Sequence, residues 1–246
     1  MKVFVVIPAA GLGTRMSAAG SGLKSKSKQF FELQGTPILI HTLRKFDQCT
    51  RVNEIVVALR ANETTAFQSL VAAEHFRNAI RVVEGGEHRQ DSVSNALHSL
   101  NAAPDDIVLV HDAVRPFVDQ ETIIGVLDGV EKYDGAIAGI PAIDTVKQVD
   151  RTADGAVVIA TVPRERMVMA QTPQGFRYEL IRRAFDEALA DGFVGTDEAS
   201  LIERSGGTVH VVMGSPRNIK ITTPADLDLA ELYISQDERR RVGLSG

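Results

Sequence analysis

The chain of 246 residues contains one cysteine, Cys49, no tryptophan and only 5% aromatic residues. A lone cysteine excludes an internal disulfide and leaves no cysteine cluster for a metal. No apolar run approaches the roughly 20 residues that a membrane-spanning helix needs. The first residues lead into a strand and not into a signal-peptide cleavage pattern. The expectation is therefore a cytoplasmic protein with no membrane partner. Surplus basic charge is missing too: the formal net charge is -5, which argues against nucleic acid as a partner. Two nucleotide-binding signatures are also absent. In the loop Ala9-Ala10-Gly11-Leu12-Gly13-Thr14-Arg15-Met16, the third glycine of a dinucleotide fingerprint would fall at Met16. Nor does the loop close on the Gly-Lys-Ser/Thr of a Walker A motif. No serine–histidine–acid spacing and no paired histidine ligands stand out.

What is present is an ordinary soluble composition, with 44% hydrophobic and 24% charged residues. Its length suits one α/β domain, expected over residues 1–235 with a flexible tail over 236–246. Short apolar strands are expected at residues 3–7, 54–59, 80–83, 106–111, 135–141, 168–171 and 208–212, alternating with amphipathic helices. That rhythm implies a mostly parallel sheet covered on both faces. Ile123, Val126, Leu127 and Val130 recur at helical spacing and form one buried stripe. Thr36-Pro37 and Thr223-Pro224 each read as an N-cap followed by proline at the first helical position. Residues 17–27 are Gly/Ser/Lys-rich without apolar period and are expected to be a mobile loop. Residues 143–163 alternate β-branched and polar side chains around the turn signal Asp154-Gly155, which predicts a projecting hairpin. Such an edge needs a partner, most simply a second copy of the chain.

In parallel sheets ligands bind beyond the carboxyl ends of strands, and several expected strand ends carry chemistry. After the first, small residues let backbone N–H groups approach a phosphate, and Arg15 adds a permanent planar charge. After the third comes Gly85-Gly86-Glu87-His88-Arg89 with Ser92 near a helix start, equally readable as a turn and cap. After the fourth comes His111-Asp112-Ala113-Val114-Arg115. An unpaired buried carboxylate is costly, so Asp112 is read as a Mg²⁺ ligand, the plainer alternative being an ion pair with Arg115 or a cap. His111 is assigned to the core. Thr145, Arg164, Thr172, Thr196-Asp197-Glu198 and Lys220 are further rim candidates, the acids equally readable as a helix cap. Cations outnumber proton-transfer groups at this rim, a balance that suits phosphoryl or nucleotidyl transfer.

Together, PAAGLGTRM, KQF, GGEHRQDSV, VHDAVRP, DTVK, TPQGF, TDEAS and NIKITTPADL closely resemble the 2-C-methyl-D-erythritol 4-phosphate cytidylyltransferase family. The likeness runs from Val3 to about Ile234. It implies an α/β, Rossmann-like nucleotidyltransferase sheet (the nucleotide-diphospho-sugar transferase type) with a protruding β-arm, and a homodimer interlocked through those arms. It implies transfer of CMP from CTP to 2-C-methyl-D-erythritol 4-phosphate, releasing pyrophosphate, with Mg²⁺ or another divalent cation. By this resemblance Arg15 and Lys28 are catalytic, Gly11, Leu12, Gly13 and Thr14 cradle the triphosphate, and Ala9, Ala10, Gly86, Glu87 and Ser92 read cytosine. Asp112, Ala113, Arg115, Thr145, Thr172 and Lys220 are implied to bind the acceptor, Asp112 to hold the metal, and Arg164 to arrive from the partner's arm. The loop before Lys28 is longer than the family usually has, so Lys24 and Lys26 compete with Lys28, which is preferred because Gln-Phe follows it. Rival readings are a ribitol-5-phosphate cytidylyltransferase, disfavoured by Lys147 and the intact Thr196–Ser200 motif, and a non-catalytic dimeric binding module on the same fold.

Overall fold

The computed structural model describes residues 1–11 and 27–243; Leu12, Gly13, Thr14 and Arg15, Lys24 and Lys26, and all but the last residue of the expected loop at 17–27 lie outside them. A seven-stranded sheet forms the centre, in the order β11 (Val209–Met213), β7 (Gly135–Pro141), β10 (Val168–Arg177), β6 (Ile107–Val110), β1 (Val3–Pro8), β4 (Glu54–Leu59), β5 (Ala79–Glu84). All neighbours run parallel except β10, which is antiparallel to both β6 and β7.

The central strands are unbroken apolar runs because both their faces are buried. Val3, Val5 and Ile7 of β1 join Ile107 and Leu109 of β6 in one core, while Phe4, Val6, Val108 and Val110 join the other. Helices α1 (Ile38–Asp47), α2 (Thr64–Ala72) and α4 (Gln120–Val130) cover the first face, and α3 (Arg89–Ser99), α5 (Tyr178–Ala190) and α6 (Glu198–Arg204) the second. The expected stripe Ile123, Val126, Leu127 and Val130 is completely buried. Asp119 caps that helix by accepting from the Thr122 N–H at 2.8 Å.

Three expectations need correction. Strand β10 runs on to Arg177, six residues past the expected end at 171, because Thr172-Pro173-Gln174 passes as a register shift against β7 instead of a turn. Thr36-Pro37 forms the two-residue strand β3, paired with β2 (Glu32–Leu33), and Pro37 itself is the N-cap of α1. Thr223 does cap α7 (Pro224–Gly243), its Oγ1 accepting from Asp226 N–H. That helix continues through residues 236–243, where a flexible tail was expected, and Arg217 pairs with Asp237 at 2.8 Å. The run Asp-Glu-Arg-Arg-Arg has no apolar stripe to betray it, yet these acids and arginines allow a helix to propagate.

The hairpin is β8 (Val146–Thr152) against β9 (Gly155–Val162), a two-stranded sheet separate from the central one. Gly155 takes φ +140°, a conformation that side chains oppose.

Candidate active site

The carboxyl ends of β1, β5 and β6 open onto one cavity of about 190 Å³, lined by Ala9, Ala10 and Gly11, Lys28, Gly86 and Glu87, Ser92 and Asp112. Its walls are tied together by backbone carbonyls and buried side chains. Gln29, fully buried after Lys28, donates to Ala9 O, which anchors the lysine's turn to the end of β1. Arg60 donates to Ala10 O at 2.8 Å. Each carbonyl keeps a second lone pair for a ligand. Ser92 Oγ accepts from Gly86 N–H and donates to His88 O, both at 3.1 Å, so the glycine turn is shaped by the helix that follows it.

A second cavity of about 320 Å³ lies against the first and is lined by Arg115, Thr172, Thr196 and Asp197; Arg89, Asp112 and Lys220 line both cavities. Asp112 is buried at their junction. Its Oδ2 accepts from Lys220 Nζ at 3.0 Å and Arg115 Nε at 3.1 Å, and its Oδ1 from Arg89 Nε at 3.3 Å. Burial would raise its pKa, but Arg89, Lys220 and Arg115 outweigh that and hold the carboxyl far below the usual carboxylate range. Arg89 in turn grips Glu198, with Nη1–Oε1 at 2.6 Å and Nη2–Oε2 at 3.0 Å.

Behind this cluster, His111 is buried and its Nε2 lies 3.1 Å from Arg115 O. A carbonyl cannot donate, so Nε2 carries the proton. Burial pushes the imidazole pKa down to about 4, which leaves Nδ1 as the acceptor for the Thr172 hydroxyl at 3.0 Å. Thr172 Oγ1 itself accepts from Asp112 N–H at 3.1 Å. The histidine is structural, as expected, and it orients two site residues.

Of the residues expected at the site, Ala9, Ala10, Gly11, Lys28, Gly86, Glu87, Ser92, Asp112 and Ala113 line the first cavity, and Asp112, Arg115, Thr172 and Lys220 meet at the second. Leu12, Gly13, Thr14 and Arg15 lie outside the described residues. Thr145 and Arg164 line neither cavity; Arg164 donates to Ile143 O at 2.7 Å within the arm. Asp197 caps α6 as the cap reading requires, accepting from Ser200 N–H at 3.0 Å. Glu198 does not remain a solvated dipole partner and is buried against Arg89. That pair carried no signal in the sequence, because its members are 109 positions apart.

The metal reading of Asp112 fits poorly. Its two oxygens already serve three cations, so a dication there would have to displace them. Among the described residues no group of three or more His, Cys, Asp or Glu side chains could hold a metal ion. No step is therefore derived through a protein-bound metal.

A Rossmann-like sheet with cation-lined twin cavities at its strand ends defines a nucleotidyltransferase fold. The 2-C-methyl-D-erythritol 4-phosphate cytidylyltransferase (IspD) family model matches residues 3–236, and the chain belongs to that family. It is 57% identical to the enzyme of that name from Acidobacterium capsulatum over 98% of this chain and all of the relative. It is 52% identical to that of Solibacter usitatus, over 98% of each chain. Among solved structures, the Francisella tularensis enzyme superposes with a TM-score of 0.78 at 35% identity, over 94% of this chain and 99% of its own. The 4-diphosphocytidyl-2C-methyl-D-erythritol synthase of Anaerococcus prevotii gives 0.81 at 29%, over 95% and 98%. Membership disfavours both the ribitol-phosphate and the non-catalytic readings.

Proposed function

We propose that this chain transfers CMP from CTP to 2-C-methyl-D-erythritol 4-phosphate, and that the observation carrying this reading is the Asp112 cluster on the wall shared by two cavities. An acceptor phosphate oxygen attacks the α-phosphorus of CTP, the new P–O bond forms, and the bond to the β-phosphate oxygen breaks to release pyrophosphate. No proton transfer is required of the protein, only alignment and neutralisation of charge. In this reading Lys28 and Arg15 offset the charge that builds on the α-phosphate, and the backbone after β1 cradles the triphosphate. Cytosine lies against Ala9, Ala10, Gly86, Glu87 and Ser92. Arg115 and Lys220 hold the acceptor phosphate while Asp112 accepts from acceptor hydroxyls, with Ala113 and Thr172 beside it. Since its hydroxyl proton is committed to His111, Thr172 meets the acceptor as a hydrogen-bond acceptor or through its methyl group.

A divalent cation belongs, on this reading, with the triphosphate, since Mg²⁺ readily takes phosphate oxygens and water. Chelation should stop turnover and added Mg²⁺ should restore it. The active unit is a homodimer in which the arm delivers Thr145 and Arg164 to the neighbouring site, and the enzyme works in the cytoplasm. Among the described residues no helix is long and apolar enough to cross a membrane.

Pyrophosphate release with CTP and Mg²⁺ tests the assignment, with methylerythritol phosphate and ribitol 5-phosphate offered in parallel. Release with the first alone is expected. Release with ribitol phosphate alone would overturn the acceptor, and silence with both in folded protein would overturn the reaction.

A further inference from the structure

We propose that Glu198 is a positioning residue for the transfer reaction, acting through Arg89 to keep Asp112 in the arrangement that receives the acceptor. The proposal rests on the functional reading above.

An acid in the first turn of a helix ordinarily faces water, where it complements the helix dipole. Glu198 is instead 1% exposed, and a buried carboxylate persists only when it is paired. Both its oxygens are taken by one guanidinium, Arg89. The backbone on either side of Glu198 is also tied to the sheet. Gln174 of β10, itself buried, donates to Asp197 Oδ2 at 2.8 Å and accepts from Ala199 N–H at 3.0 Å. The residues flanking Glu198 are thus pinned to the strand that carries Thr172, and the acid holds Arg89 at a defined place.

Arg89 is one-third exposed and lines both cavities, with only its Nε directed at Asp112. A guanidinium fork matches a carboxylate in bidentate fashion. Without Glu198, the two Nη groups of Arg89 would lose their partner and the nearest carboxylate would be Asp112. Arg89 would then compete for the oxygens that Lys220 and Arg115 hold and that the acceptor needs. Removing Glu198 also takes one negative charge away from beside the cations Arg89, Arg115 and Lys220. Both changes act on Asp112, Arg115 and Lys220, the groups assigned above to the acceptor, while the carbonyls and glycines of the nucleotide cavity are held by Gln29, Arg60 and Ser92.

The test is a double-mutant cycle of Glu198→Gln and Arg89→Gln, with kcat and both KM values measured alongside thermal unfolding. In Glu198→Gln the KM for methylerythritol phosphate should rise about tenfold or more, with the KM for CTP within about threefold of wild type. The double variant should be no worse than Arg89→Gln in acceptor KM, since Glu198 has nothing left to act through. An unchanged acceptor KM in folded Glu198→Gln, or effects that multiply in the double variant, would overturn the proposal. Should Glu198→Gln not fold alone, the comparison of Arg89→Gln with the double variant still decides: equal acceptor KM supports the proposal and a further large rise sinks it. Wild-type turnover in the same assay separates the two questions. Its absence would remove the functional reading and this proposal with it, whereas normal wild-type turnover with multiplying effects would remove the proposal alone.

Discussion

At Gly85 the loop after β5 approaches the loop after β1 so closely that an added Cβ would lie 2.5 Å from the Ala10 Cβ and 3.1 Å from Ser92 Oγ. The neighbours are a backbone-anchored alanine and a hydrogen-bonded serine, neither able to swing aside. Gly85→Ala should therefore cost about 1–3 kcal/mol by overpacking and raise the KM for CTP more than that for the acceptor. Urea denaturation and steady-state kinetics check both; an unchanged CTP KM would mean that the two loops do not jointly shape the nucleotide cavity. Lys28 is held by a different logic, through the turn whose Gln29 is tied to β1. Lys28→Ala should lower kcat by roughly 10²-fold or more, as loss of one preorganised charge at a reacting phosphate does, with the circular dichroism spectrum unchanged. At this scale the sequence pointed to Asp112 because an acid there had no reason to be in a core, although its role is ion pairing and not the expected metal; Lys28 was singled out only by the family resemblance. The sequence was silent about Arg89 with Glu198 and about Gln174, since a pairing across distant segments leaves no local pattern.

The arm, β8 with β9, leaves apolar side chains uncovered within one chain. Val157, Val158 and Ile159 are each more than half exposed, and Val149 stands opposite Val158 in the register. Consecutive residues of a strand point to opposite faces, so β9 presents exposed apolar side chains on both faces of the hairpin, and an isolated two-stranded sheet is marginal in water. The second copy proposed above would satisfy both conditions. On the proposed homodimer, Val158→Lys should shift dimer towards monomer in sedimentation velocity and lower turnover in parallel, because Thr145 and Arg164 would then reach no neighbouring site. A variant that remains fully dimeric, or a monomer with full activity, would exclude the shared site. The hairpin was legible from alternation and its turn signal, as the α4 stripe was from its period. The second half of β10 was not, because Thr172-Pro173-Gln174-Gly175 has turn chemistry locally and is held extended by strands on either side.

Over the whole molecule, sheet order is the least legible property, since nothing local in β10 says that it runs antiparallel between β6 and β7. The fold nevertheless has a consequence that can be read at this scale, its response to acid. His111 sits under the site with its pKa lowered to about 4 by burial, against about 6.5 in an unfolded chain. Protonating it in the folded state would put a charge in the core and turn Nδ1 into a donor facing the Thr172 hydroxyl. The unfolded chain therefore binds the proton first, and stability falls as pH drops from the unfolded value towards about 4. His111 alone should remove about 2 kcal/mol between about pH 7.5 and pH 5. His41, whose pKa burial also lowers, adds to the loss with the same sign. Asp112 acts in a lower window, its contribution fading only as pH falls below the ordinary carboxylate range. Urea denaturation at the two pH values checks this: His111→Gln should be less stable than wild type at the higher pH but should lose distinctly less on acidification. An equal loss in variant and wild type would show that His111 does not carry the acid sensitivity, and the buried link from Arg115 through the imidazole to Thr172 would then have to tolerate a charge.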